Sequence, residues 1–152
     1  MAEVSYLIDT NILLRLLQPD DADYPAVRSA LDELRSRGVR LYFTSQNFVE
    51  FWNVCTRPAD RNGFGLSVSE TDRRARLIEA AFTLVADSNR TYLEWRRLVV
   101  AAGVMGVQVH DARLVATMSA HGITHMLTLN DQDFARYPEI MAIHPRQLVS
   151  AG

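Results

Sequence analysis

Four short acidic segments hold most of the side chains in this sequence that could do chemistry. They are Ile8-Asp9-Thr10-Asn11, Gln46-Asn47-Phe48-Val49-Glu50, Val109-His110-Asp111-Ala112 and Thr128-Leu129-Asn130-Asp131-Gln132-Asp133-Phe134. Each places a carboxylate at the end of an apolar run or in the first turns of a predicted helix. Carboxylates gathered in one pocket repel one another, and a cation relieves that repulsion. Oxygen donors with no thiolate and no necessary imidazole suit Mg²⁺ or Mn²⁺ better than zinc. The chemistry such a group fits best is metal-assisted cleavage of a phosphodiester.

Singly, each acid has a plain structural reading. Asp9 before Thr10-Asn11 is ordinary helix-capping chemistry, compatible with a second role as a metal anchor at the end of the first strand. Asp111 also starts a helix. His110 beside it is more readily a structural group than a catalyst. Asn130, Asp131 and Asp133 form a turn rich in Asx residues, and Asp133 could cap a short helix begun by Phe134. Spacing alone does not choose the metal-facing residue among these three. Glu50 is more diagnostic. Gln46, Glu50, Asn53 and Arg57 form one polar column on a helix whose stripe of Phe48, Val49, Trp52 and Cys55 is apolar. A single polar column on a helix covered on both sides reads as the lining of a cleft.

The elements that must position these residues follow from periodicity and punctuation. Val4 to Ile8 is an apolar strand ended by Asp9, and Asn11 to Leu17 reads as a helix. Pro25 opens a second helix that runs to about Arg37 and stops at Gly38. Val39 to Thr44 is a second strand, with Ser45 as the expected cap of a helix reaching Thr56. Residues 57–65 form a Gly- and Pro-containing loop. Ser67-x-x-Glu70 is a capping box for a helix to about Phe82, with Ala75, Leu77 and Ile78 inward. A short strand at Thr83 to Ala86 precedes helices from Thr91 to about Gly103 and from Asp111 to Gly122. Strands at Ile123 to Leu129 and Ile140 to Ile143 complete the pattern. Strands alternating with helices imply an α/β/α sandwich around a mostly parallel sheet. In such sheets ligands bind beyond the carboxyl ends of the strands.

Bulk properties narrow the class. At 152 residues, 48% hydrophobic and 22% charged, the chain is sized for one domain over residues 1–152. No apolar run is long enough to span a bilayer, since Ile12 to Leu17 is broken by Arg15. Met1-Ala2-Glu3-Val4 leads directly into a strand, so a cytoplasmic protein with no membrane association is expected. The lone Cys55 excludes an internal disulfide and falls at core spacing. All 16 cationic residues are Arg, but a net charge of -2 gives no global attraction to nucleic acid.

The four segments, in this order and spacing, resemble those of the PIN-domain nucleases, and specifically the VapC-type toxins of bacterial toxin–antitoxin pairs. The resemblance rests on Leu7 to Leu14, on Thr44-Ser45 with Asn47 and Glu50, on Val109 to Ala112, and on Thr128-x-Asn130-x-x-Asp133-Phe134. It implies an acidic metal and catalytic group of Asp9, Glu50, Asp111 and Asp133, supported by Thr10, Asn11, Thr128 and Asn130. Asp131 is an acid outside the family pattern. It further implies a Mg²⁺- or Mn²⁺-dependent endoribonuclease, a homodimer and a cognate antitoxin. Arg57 and Arg61, on the loop after the Glu50 helix, have two equal readings, as phosphate contacts at the cleft mouth or as ordinary solvated loop arginines. The competing expectation is a catalytically silent PIN-like module that binds RNA or protein.

Overall fold

The computed structural model describes residues 4–149 and forms an α/β/α sandwich. Its strands are β1 (Ser5–Ile8), β2 (Arg40–Thr44), β3 (Thr83–Val85), β4 (His125–Leu127) and β5 (Met141–Ile143). Its helices are α1 (Thr10–Arg15), α2 (Tyr24–Ser36), α3 (Ser45–Thr56), α4 (Val68–Ala81), α5 (Asn89–Ala101), α6 (Val109–Ala120) and α7 (Pro145–Leu148). The sheet is parallel throughout, in the order β3-β2-β1-β4-β5. The chain therefore steps outward from β1 to β3, then returns past β1 to lay down β4 and β5. The reversal leaves a crevice between the carboxyl ends of β1 and β4, where Asp9 and Thr128 follow their strands.

Alternation along the strands feeds two cores. Tyr6, Ile8, Leu41, Phe43 and Leu127 pack on one face with Ile12, Leu31, Leu34, Phe51 and Ile78 from α1 to α4. Leu7, Val85 and Met126 face the other way, onto Leu98 of α5 and Leu114, Val115 and Met118 of α6. Cys55 is fully buried, and burial pushes its thiol up to about 11, consistent with inert filling.

Several local expectations shift. The cap of α3 is Thr44 rather than Ser45: its hydroxyl accepts from the Asn47 N–H, and the Asn47 side chain returns a bond to the Thr44 N–H. Thr44 wins because it keeps extended geometry as the last residue of β2. Asp111 lies inside the first turn of α6, and Asp133 lies within a short 3-10 turn, Asp131–Phe134, instead of capping it. Leu77 is exposed, lying beside the Ala75–Ile78 stripe and lining a groove with Leu16, Leu31 and Phe82. On α3, Val49 is 71% exposed, whereas Phe48 and Trp52 pack against the core beside the buried Phe51 and Cys55, so the helix is covered except along the strip of Ser45, Val49 and Asn53.

Candidate active site

Asp9 is set by the end of β1. Its N–H continues the ladder to the Leu127 carbonyl, and its side chain caps α1. Oδ1 accepts from the Thr10 N–H at 2.7 Å, while Oδ2 accepts from the Thr128 hydroxyl at 2.8 Å and the Asn11 amide at 3.3 Å. Burial pushes this carboxyl up to about 6; the hydrogen bonds oppose that rise, and the charges of Glu50 and Asp111 add to it. Thr128 is held in turn by donation from Asn11 and from the Asn130 N–H. Asn11 Oδ1 accepts from the Leu129 N–H, which locks β4's exit against α1.

Glu50 projects from the second turn of α3. The Thr10 hydroxyl donates to Oε2 at 2.8 Å, and the Gln46 amide donates to Oε1 at 3.0 Å. Asn47, fully buried, donates to Thr10 Oγ1 and so ties the start of α3 to that of α1. Asp111 is partly buried. Its carboxyl is raised first by burial, then by the charges of Asp133 and Glu50, against opposing effects of His110 and Arg136. Thus Asp9, Glu50 and Asp111 share one electrostatic neighbourhood, with Asp133 reaching it through Asp111. Among the described residues no Arg forms an ion pair with any of these four acids.

The four acids are electrostatic neighbours more than a finished ligand shell. Among the described residues no group of three or more His, Cys, Asp or Glu side chains stands close enough, as placed, to hold a metal ion. The oxygens of Asp9 and Glu50 are instead taken up by hydroxyl and amide donors. The donor set nevertheless fits a hard divalent cation: all oxygen, net negative, with one carboxylate buried against its own solvation.

Other singled-out residues lie elsewhere. Asp131 faces a shallow depression with His144, Arg146 and Gln147. Arg57 donates to the Asn62 carbonyl within its own loop. It lies seven residues beyond Glu50, roughly 10 Å further along the helix axis, and Arg61 follows in an exposed turn. The structure does not bring either arginine to the acids. Gln46, on the polar column expected to line the cleft, is buried, and its amide also reaches the His110 carbonyl at 2.8 Å. Arg113, which no motif in the sequence marks, donates to Gln46 Oε1 at 2.9 Å and pairs with Asp87.

Comparison with known proteins agrees with this architecture. The family model described as "PIN domain" matches residues 6–140. Among solved structures, VapBC2 of Rickettsia felis bound to a promoter DNA fragment superposes with a TM-score of 0.70 at 14% identity, covering 93% of this chain and 98% of that one. A toxin–antitoxin complex from Klebsiella pneumoniae gives 0.63 at 21% identity, with 92% and 97% covered. VapC20 of Mycobacterium tuberculosis, described as a toxin that cleaves the sarcin-ricin loop, gives 0.54 at 18% identity, with 80% and 86% covered. No curated protein matches the sequence significantly.

Proposed function

The chain belongs to the PIN domain family, and from that premise we propose that it is the toxin of a type II toxin–antitoxin pair, a Mg²⁺- or Mn²⁺-dependent endoribonuclease acting on cellular RNA. The observation that carries the reading is Asp9: a buried carboxylate at the β1/β4 crevice, held by three donors and sharing its surroundings with the charges of Glu50 and Asp111, none of which is ion-paired with an Arg among the described residues. The solved structures of similar fold include toxin–antitoxin complexes and one RNA-cleaving toxin, which supports the same class.

Asp9 and Asp111 are the residues that would hold the ion, with Glu50 and Asp133 completing the set. When bound, the ion supplies positive charge against the scissile phosphate and acidity to water. The chain's own contribution is orientation. Thr10 and Gln46 fix the two oxygens of Glu50, leaving a carboxylate aimed to accept a proton from attacking water. Thr128 and Asn11 fix Asp9, so little reorganisation remains when charge develops.

An antitoxin partner fits the same features. A chain segment carrying an Arg or Lys could place that cation among Asp9, Glu50 and Asp111, pairing with carboxylates that form no ion pair among the described residues. The groove between the end of α1, α2 and α4, with Leu16, Leu31 and Leu77 on its walls beside Arg28, Arg35 and Arg74, offers the apolar part of such a segment a bed.

The deciding experiment is cleavage of RNA by the purified protein with and without Mg²⁺, beside an Asp9→Asn variant. Cleavage that needs the ion and disappears in the variant, with the fold intact, is expected. Metal-independent cleavage would overturn the mechanism, and RNA binding without cleavage would favour the silent-module reading.

A further inference from the structure

A second cleft, of about 310 Å³, opens beside the acids and is lined by Asp87, Ser88, Thr91, Tyr92, Trp95 and Arg113. It stands on the same carboxyl edge of the sheet. Val85 of β3 pairs with Thr44 of β2, and Asp87 follows two residues later, where it accepts from Ser45 at the start of α3. One wall is aromatic. The Tyr92 and Trp95 rings lie 6.3 Å apart and tilted by 38°, and the Trp95 indole is pinned by donation to the Val109 carbonyl at 2.9 Å. Tyr92 is 60% exposed, a large ring with one face open to solvent.

The opposite wall is polar and leads to the acids. Arg113 bridges Asp87 and Gln46, and Gln46 donates to Glu50 Oε1. The cleft and the proposed proton-accepting carboxylate are therefore one amide side chain apart.

We propose that this cleft seats an unpaired nucleobase of the RNA strand, next to the phosphate that is cut. The inference rests on the ribonuclease reading and names the part of the substrate that reading leaves open. A flat ring fits against Tyr92 and Trp95, and its edge finds Asp87 as acceptor and Arg113 as donor. A free phosphate fits poorly, because Asp87 already neutralises Arg113. An aliphatic group would cover that ion pair without replacing its water. A base inside a duplex presents no free face, so the cleft selects single-stranded or looped RNA.

The test uses the full chain carrying Asp9→Asn, to keep the strand intact, and Trp52→Phe, so that Trp95 is the remaining tryptophan and can be excited selectively at the red edge, away from the five tyrosines. The probes are single-stranded oligomers of A, C, G or U and a duplex RNA, without divalent metal. At least one oligomer should quench Trp95, the duplex should not, and Tyr92→Ala should weaken that binding about tenfold or more. Tyr92→Phe should retain it. In the cleavage-competent protein Tyr92→Ala should raise KM, or move the cut site, with kcat little changed.

Quenching untouched by Tyr92→Ala, equal quenching by duplex, or none with any oligomer overturns the inference. So does a Tyr92→Ala effect that follows a change of oligomeric state in sedimentation. If the wild-type protein cuts no RNA while the Tyr92-dependent quenching persists, the ribonuclease reading fails and the base site stands. Metal-dependent cleavage indifferent to Tyr92 gives the converse.

Discussion

Asp9 carries the strongest conflict between burial and charge in the protein, and that conflict is measurable without any substrate. Its folded carboxyl lies at about 6 against 3.8 for an unperturbed one, so between those values the native state binds more protons than the unfolded chain. The stability this group contributes is complete at low pH and is lost as pH rises through that window, by roughly 3 kcal/mol in all. Metal-free wild type should thus lose stability relative to Asp9→Asn between about pH 4 and pH 6, measured by denaturant unfolding at each pH. A flat difference would mean that Asp9 is already ionised or well solvated. A divalent ion needs the ionised form, so Mg²⁺ or Mn²⁺ should raise the melting temperature more at pH 7.5 than at pH 5. Equal shifts at the two pH values, or none at millimolar ion, would remove Asp9 from the metal site.

Residue-level contrast also separates the two acids of the last segment. Asp133 is felt by Asp111, whereas Asp131 faces His144 and Arg146. Asp133→Asn should lower cleavage at least tenfold, and Asp131→Asn should lower it by less than a few fold, in the same kinetic assay. The reverse order would make Asp131 the fourth acid. The places of Asp9 at a strand end and Asp111 in a first helical turn were legible in the sequence because such boundaries announce themselves locally, whereas Thr128 was marked only by the family resemblance. The Asp87–Arg113–Gln46 chain was not legible, because its members come from three elements and no short-range pattern joins them.

At the scale of elements, α3 decides whether Glu50 points into the crevice. Its first turn is fixed by the reciprocal Thr44–Asn47 box, and Asn47 then reaches across to Thr10, which holds Glu50. Asn47→Ala would leave the buried Thr44 N–H without its acceptor and free the Thr10 hydroxyl. A loss of about 2–3 kcal/mol is expected, seen as a fall of several degrees in melting temperature, with a loss of cleavage beyond what the remaining folded fraction explains. Activity that tracks folded fraction alone would show that the α1–α3 tie does not position Glu50. The helix was readable from its polar column and apolar stripe: Phe48, Trp52 and Cys55 pack on the core, while Val49 is exposed and Phe51, stacked on Phe48, is buried in addition. Leu77 beside Ile78 differs for a related reason: α4 is covered on one side only, so of these two adjacent apolar residues Ile78 is buried and Leu77 is left at the edge.

For the whole molecule, the alternation of elements gave the sandwich and the parallel sheet, but not the strand order. That order arises from the chain doubling back past β1, and it is what brings residues near 9, 50, 111 and 128 to one crevice. The sandwich also leaves apolar side chains uncovered: Leu93 and Val100 of α5, with Met105 and Val107 after it, are each more than 60% exposed. Leu93 and Val100 are seven residues apart and so share one helix face. An exposed apolar strip of this kind marks an interaction surface, and the expected homodimer offers the simplest cover. Val100→Glu should yield a folded monomer by analytical ultracentrifugation, because the residue supports no core. Val100 lies eight residues beyond Tyr92, roughly 12 Å along α5, so the same variant should leave base binding at the cleft intact. A Val100→Glu protein that stays dimeric would move the dimer face off α5, and one that loses oligomer binding along with dimerisation would show that the second subunit helps form the RNA site.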